Sequence, residues 1–312
     1  MIYQAVRSPA EFALSILENA VLRTLRLDNL APHPVVFIIG PPRSGTTLLY
    51  QVLINHYSFA HFTNFTALFY SAPVAGFWLA RFLPLGKQSP DRYKSRYGQT
   101  RGWHGPHEAG RFWYRWFPKG EHVYVPPDAT PESSLNELWR EVAGVAQITR
   151  LPLLFKNTYN SMRIAPIVEA LPQAAFLVCQ RDPVDTAQSI LKMRVDKLGS
   201  KEHWWSVPPK EIDEIKKHAF WEQVVEQVYY TCQQIDEDRV RFGQDRFYDI
   251  RYKKLCQDTH GTLASIEGFL SSRGLSLKVR EDVPKRFPVS TSQRIEDQDY
   301  QLIIRKVQEL WG

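Results

Sequence analysis

Val35-Val36-Phe37-Ile38-Ile39-Gly40-Pro41-Pro42-Arg43-Ser44-Gly45-Thr46-Thr47 is the stretch on which the architecture of this chain turns. Five apolar residues, four of them β-branched, run without a polar interruption, as in a strand buried on both faces of a parallel sheet. The run stops at Gly40, and Thr46 to His56 resumes with helical character. Three later runs repeat the strand signature: Leu153-Leu154-Phe155 ending at Lys156, Ala175 to Cys179 ending at Gln180-Arg181, and the shorter, more polar Phe247 to Arg251. Helical periodicity covers 10–27, 133–148, 161–171, 184–195, 213–235 and 259–271. Strands alternating with helices predict an α/β fold, an open and mostly parallel sheet flanked by helices, in a single domain over 1–312. Ligands of such sheets bind beyond the carboxyl ends of the strands, so the chemistry is expected there.

The loop after the first strand compares with the nucleotide-binding pattern G-x-x-x-x-G-K-[ST], with Thr46 in the lysine position. The fold is thus P-loop nucleotide-binding-like. Backbone N–H groups of Ser44, Gly45, Thr46 and Thr47, at the positive end of a helix, are suited to a phosphate. Arg43 adds a guanidinium fork. The missing lysine is the group that reaches β- and γ-phosphates in triphosphate enzymes, so the loop suits a 5′-phosphate bearing something other than a polyphosphate tail. The competing reading is a tight turn with no ligand.

A second constellation opens at Gln180-Arg181-Asp182-Pro183-Val184-Asp185 and runs to Ser189. Asp182 is expected to cap a helix with Pro183 in its first position. Arg181 then occupies the strand tip, and Ser189 lies two turns into the helix on the face of Asp185. An arginine and a hydroxyl so placed suit a single phosphate; a capped helix with no ligand is the alternative.

Taken together, the two motifs resemble those of the sulfotransferases that use 3′-phosphoadenosine 5′-phosphosulfate (PAPS). Pro41 to Thr47 looks like their 5′-phosphosulfate loop. Arg181-Asp182-Pro183 followed by Ser189 is similar to their 3′-phosphate motif, in which the arginine and the serine bind that phosphate. Leu154-Phe155-Lys156-Asn157, Arg163-Ile164 and Leu171 to Phe176 resemble the lead-in to it, and Tyr252-Lys253-Lys254-Leu255 with Thr262 to Leu270 the family's late strand and helix. Lys253 and Lys254 stand where acidic residues are more common. The resemblance covers a core of about 34–271. It implies PAPS as sulfuryl donor, adenosine 3′,5′-bisphosphate (PAP) as product, and Lys156 as the cation that meets charge on the leaving phosphate.

Sulfuryl transfer by in-line displacement needs positioning and electrostatic stabilisation, and neither a covalent intermediate nor a metal. It also needs a base for the acceptor proton. Many family members carry a glutamate just after the helix of the phosphate loop, whereas this chain reads His61-Phe62-Thr63-Asn64-Phe65-Thr66. Glu108 and His107 are therefore the candidate bases, Glu108 ahead, with His56 and His61 in reserve. Against this, Glu108 has Arg111 at i+3 and is equally suited to a plain helix-surface pair. The run Phe112-Trp113-Tyr114-Arg115-Trp116-Phe117 reads first as core and second as an acceptor pocket. Pro284 to Ser292, with Lys285 and Arg286, is a candidate to close over the nucleotide.

Composition narrows the classes. A formal charge of +6 with pI near 9.1 favours phosphorylated partners, but long basic arms are missing and nucleic acid is not expected. Cys179, Cys232 and Cys256 form no pairing pattern and fit a reducing compartment. The first thirty residues, with Glu11, Glu18, Arg23, Arg26 and Asp28, read as neither a signal peptide nor a membrane span, which favours a cytoplasmic, most simply bacterial, enzyme. Phe65 to Leu85 is apolar but interrupted by Pro73, Gly76, Arg81 and Pro84, suited to covering a pocket or touching a membrane surface and not to crossing one. His104, His107 and Glu108, and the acidic triplets Asp236-Glu237-Asp238 and Asp297-Gln298-Asp299, lack a full ligand set, so no metal is expected. The acceptor expected is a small-molecule, lipid or carbohydrate hydroxyl, with a protein tyrosine as a further candidate. A P-loop kinase or nucleotide hydrolase, and a non-catalytic module binding a bisphosphate nucleotide or nucleic acid, are the competing functions.

Overall fold

The computed structural model describes residues 9–25, 27, 34–83, 92–93, 100–117 and 120–312. Helix α1 (Pro9–Thr24) precedes strand β1 (Val36–Ile39), and α2 (Thr46–His56) follows the phosphate loop. After a 3-10 turn at Thr66–Phe69 come α3 (Pro73–Ala80), α4 (Gly110–Trp116), α5 (Glu132–Thr149) and β2 (Leu154–Lys156). A second 3-10 turn, Thr158–Met162, leads into α6 (Ile164–Ala170), β3 (Ala175–Gln180) and α7 (Pro183–Leu198). Then follow α8 (Ile212–Ile215), α9 (Phe220–Phe242), β4 (Phe247–Arg251), α10 (Tyr252–Gln257), α11 (Thr259–Ser272) and α12 (Asp297–Trp311).

The four strands form one parallel sheet in the order β2-β1-β3-β4. Alternation along each strand sends Val36, Ile38, Leu154, Leu177 and Ile250 into one core with α2 and α11. It sends Phe37, Ile39, Phe155, Phe176 and Phe247 into a second core with α3, α4, α5 and α6. Burial on both faces is why these strands read as continuous apolar runs rather than alternating ones. In the second core, pairing register places one phenylalanine on each strand in a row: Phe155 beside Phe37, Phe37 beside Phe176, Phe176 beside Phe247. Their ring centroids lie 5.6, 5.6 and 4.9 Å apart. Such cross-strand aromatic neighbours each add about 0.5–1.5 kcal/mol beyond their buried area.

Trp113 caps this row, 5.7 Å from Phe37 and 5.4 Å from Phe155. Phe112, Trp116 and Phe117 are buried with it, so the aromatic run is core and not acceptor pocket. Because β2 and β3 flank β1, successive strands are added on opposite sides of β1, and a crevice opens at the strand ends there.

Three sequence expectations are corrected. The helix expected over 213–235 is broken: α8 and α9 are separated at Ala219, whose extended backbone donates its N–H to the Glu222 carboxylate at 3.2 Å. The helix expected over 161–171 is divided at Arg163 (φ −134°) into the 3-10 turn and α6. The helix expected to run to 27 ends at Thr24. Asp297-Gln298-Asp299 opens α12, where acidic side chains suit the positive helix end; Ile303, Val307 and Leu310 then pack that helix on α7 and α9. Asp28, Pro84 and Leu85 lie outside the described residues. No helix among the described residues is long and apolar enough to cross a membrane.

Candidate active site

The tip of β1 is tied to its neighbours before any ligand is considered. Gly40 (φ 140°) sits so close to β3 that a Cβ would fall 2.6 Å from the Cys179 carbonyl oxygen, which only glycine avoids. Ser161 Oγ accepts from the Gly40 N–H at 3.0 Å and donates to the Gly40 carbonyl at 3.1 Å. Arg43 (φ 70°) and Gly45 (φ 101°) both take left-handed backbone on either side of Ser44. At Gly45 a Cβ would meet the Tyr252 ring at 2.4 Å. Gly45 supplies no side-chain cap to α2, so the first-turn amides depend on another acceptor, as in anion-binding helix starts.

At the neighbouring strand end the expected cap forms. Asp182 Oδ1 accepts from the Asp185 N–H at 3.0 Å and Pro183 occupies the first turn of α7. The two motifs then meet directly. Arg43 Nε donates to Ser189 Oγ at 3.0 Å, and Arg181 Nη1 donates to the Arg43 carbonyl at 3.0 Å. Arg181 also stacks on Tyr252 at 5.0 Å and donates to the Ser290 carbonyl. Ser44 Oγ and Arg181 Nε are buried without a hydrogen-bond partner. Buried polar groups are rarely left so, and of these two Arg181 borders the cavity.

Arg43, Gly45, Thr46, Thr47 and Arg181 border one cavity of about 720 Å³, and so do Lys156 and Glu108. Lys156, buried at the tip of β2, pairs with the Glu108 carboxylate, which is about a third exposed. A buried ammonium needs such a partner. The Glu108–Arg111 pair weighed from the sequence does not form. Ala109 (φ 49°) turns the backbone just before α4 begins at Gly110, which leaves Glu108 outside the helix and off its i, i+3 face. Arg111 instead lies over the Tyr70 ring at 4.0 Å and donates to its hydroxyl at 3.0 Å.

His107 does not border the cavity. It is exposed, its Nδ1 accepts from the Ala109 N–H at 2.8 Å, and desolvation of its ring pushes its pKa down. The reserve histidines are elsewhere too: His56 Nδ1 sits 2.8 Å from the Glu281 carbonyl, and burial drives the His61 pKa down to about 4. Ser44 supports the loop from beneath, its carbonyl accepting from Cys179 Sγ at 3.3 Å. Of the stretch Pro284 to Ser292, Ser290 reaches the cavity, with Arg294 just beyond it; Lys285 and Arg286 are exposed and do not border it.

The remaining wall was missed from the sequence. Tyr159, Leu198, Trp204, Trp205 and Ser206 line it. The segment is suspended from α9, where Gln227 Nε2 donates to the Trp205 carbonyl at 2.9 Å and to the Val207 carbonyl at 2.8 Å. Arg194, fully buried, packs 5.0 Å from the Trp204 ring and donates to Gln223 Oε1 at 2.9 Å. Desolvation lowers its pKa to about 10. The signal that was present is the exposed-looking pair Trp204-Trp205 soon after the Arg181 helix, two large apolar side chains with no helical or strand period around them.

The acidic triplets are absorbed by ion pairs and hydrogen bonds. Glu237 pairs with Lys210 at 2.9 Å, Asp238 accepts from Gln234 at 3.2 Å, and Asp299 pairs with Lys201 at 2.6 Å. Among the described residues, no group of three or more His, Cys, Asp or Glu is arranged to hold a metal ion.

The main-chain amides of the loop, two clasped arginines and a lysine thus stand at adjacent strand ends. A model of the sulfotransferase family matches residues 34–273, and the chain belongs to that family. It is 25% identical over 267 residues to the omega-hydroxy-beta-dihydromenaquinone-9 sulfotransferase Stf3 of Mycobacterium bovis. That match takes in 80% of this chain and 66% of the relative, so the chain spans just under two thirds of that relative's length. The fold is shared with two crystal structures at a TM-score of 0.50 and 13% identity each: sulfotransferase STF9 from Mycobacterium avium, over 86% of this chain and 74% of that one, and STF1 from Mycobacterium tuberculosis, over 97% and 83%.

Proposed function

We propose that this protein moves a sulfuryl group from PAPS to the hydroxyl of an apolar, lipid-like acceptor by in-line displacement. The observation that carries the reading is the direct clasp of the two phosphate motifs, Arg43 to Ser189 and Arg181 to the Arg43 carbonyl, over one cavity. PAPS supplies an activated sulfuryl group and leaves as PAP. The amides of Gly45, Thr46 and Thr47 with Arg43 hold the 5′ side, and Arg181 with Ser189 the 3′-phosphate. Glu108 takes the proton as the acceptor oxygen bonds to sulfur; the bond from sulfur to the 5′-phosphate oxygen breaks, and Lys156 and Arg43 meet the charge left there. No metal enters this scheme. Trp204, Trp205, Leu198 and Tyr159 give the acceptor an aromatic and apolar wall, and the named relative's acceptor is a menaquinone lipid. The three free cysteines agree with a cytoplasmic setting.

Calorimetric titration with PAP, AMP and ATP, with and without magnesium, tests the donor side. Clear preference for PAP, independent of magnesium, is expected; equal affinity for AMP, or a requirement for magnesium with ATP, overturns it. Transfer of labelled sulfate from PAPS to hydroxylated lipids tests the acceptor side.

A further inference from the structure

Phe12 and Ile16 on α1, Leu68, Phe82 and Leu83 beside α3, and Trp103 are 45–66% exposed, six of the twelve exposed large apolar side chains among the described residues. Their concentration in two short regions is unusual for a surface, where single apolar residues are normally scattered. The two regions are joined. Glu18 of α1 accepts from the Val74 and Ala75 N–H groups at the start of α3, at 3.1 and 2.7 Å. Tyr70 donates to Glu11, beside Phe12, at 2.8 Å. Trp78 packs on Phe82 at 5.1 Å, and Phe65 on Trp103 at 6.2 Å.

Charge says what such a surface meets. Of the four described lysines and arginines between residues 34 and 107, Arg43 borders the cavity and Arg92 pairs with Glu281, which leaves Arg81 and Arg101 for this surface. Arg81 and Arg101 are exposed directly beside Phe82 and Trp103. Apolar side chains set among cations suit the interface of an anionic bilayer, where each basic residue is attracted to lipid headgroups and each apolar one sinks below them. One chain segment links this surface to the active site. The segment carrying Trp103 is pinned by the Asn64 N–H to the Gly105 carbonyl at 2.8 Å, and leads directly to Glu108 at the cavity.

We propose that this α1–α3 surface seats the protein on the face of an anionic lipid bilayer, so that the cavity opens toward an acceptor dissolved in the membrane. The inference rests on the lipid-acceptor reading above and adds to it where the acceptor is met. It is a peripheral contact, made without crossing the bilayer.

Flotation of the full chain with vesicles of phosphatidylglycerol and phosphatidylcholine, against phosphatidylcholine alone, is the test. Binding is expected to favour the anionic vesicles and to weaken with salt. Phe82→Glu with Leu83→Glu is expected to lower partitioning about tenfold or more, and Phe12→Glu with Ile16→Glu to do the same from the other helix. PAP affinity stays at the parent value in both variants, which reports that they are folded. Absence of vesicle binding, flotation indifferent to all four substitutions, or a dimer in light scattering that the same substitutions dissolve would each overturn the proposal, the last by making a second copy the partner. Transfer to detergent-dispersed lipid without vesicle affinity would remove the docking surface and leave the activity; vesicle affinity without transfer would do the reverse.

Discussion

Arg181 joins three things at once: the carbonyl of Arg43 in one phosphate loop, the carbonyl of Ser290 in a late segment, and the Tyr252 ring. Arg181→Ala is expected to weaken PAP binding about 10–100-fold, the worth of one or two hydrogen bonds to a charged group, and to leave AMP nearly unaffected by calorimetry. Glu108→Gln should behave oppositely, with PAP affinity kept and kcat for labelled-sulfate transfer lowered about 10²–10⁴-fold. At this scale the strand tips were legible, because Arg43, Lys156 and Arg181 each follow a recognisable apolar run. The partner of Glu108 was not. The i, i+3 rule of helices does not reach a residue that the left-handed Ala109 holds just outside one, and no local pattern announces that turn. Trp204 and Trp205 were illegible for a different reason: their position depends on Gln227, far along the chain.

Among the elements, α7 is set by its start. Asp182→Ala removes the cap and is expected to cost about 0.5–2 kcal/mol, read from chemical denaturation, and to loosen the register of Ser189 on Arg43. The wall opposite is set by α9. Gln227→Leu leaves the Trp205 and Val207 carbonyls without this donor, and the expected outcome in steady-state kinetics is a raised KM for the acceptor with PAP affinity little changed. The strands were readable from their apolar runs, the helix at Thr46 from the glycine before it, and the helices beginning at Pro183 and Thr259 because pattern and cap agree there. The division at Ala219 was not: apolar residues continue with helical spacing across it, and only the Glu222 contact to the backbone shows where a new helix starts.

For the molecule as a whole, the attachment of α1 carries a pH dependence. Glu18 and Glu141 are both buried, and desolvation raises each pKa from the ordinary 4.5 to about 7, although Arg115 opposes this by gripping Glu141 at 2.8 and 2.9 Å. The folded chain therefore holds protons that the unfolded chain releases between about pH 4.5 and 7. Stability from this pair is greatest below that window, falls as pH rises through it, and levels off above. Melting temperature is expected to decline from about pH 5 to 7, and Glu18→Gln to flatten the decline; a parent profile that rises over this range would refute the assignment. No sequence pattern reveals the pair, since Glu18, Arg115 and Glu141 come from three helices that only folding brings together.

The suspension of the Trp204–Val207 segment from α9 has an evolutionary corollary. On the proposed function, reagent recognition belongs to the sheet, whose tips are bolted together through Ser161, Ser189 and the carbonyl of Arg43, while the choice of alcohol belongs to a panel that Gln227 hangs from α9. Descendants of such a scaffold are free to exchange the panel, and with it the molecule they modify, without relearning how to hold the donor.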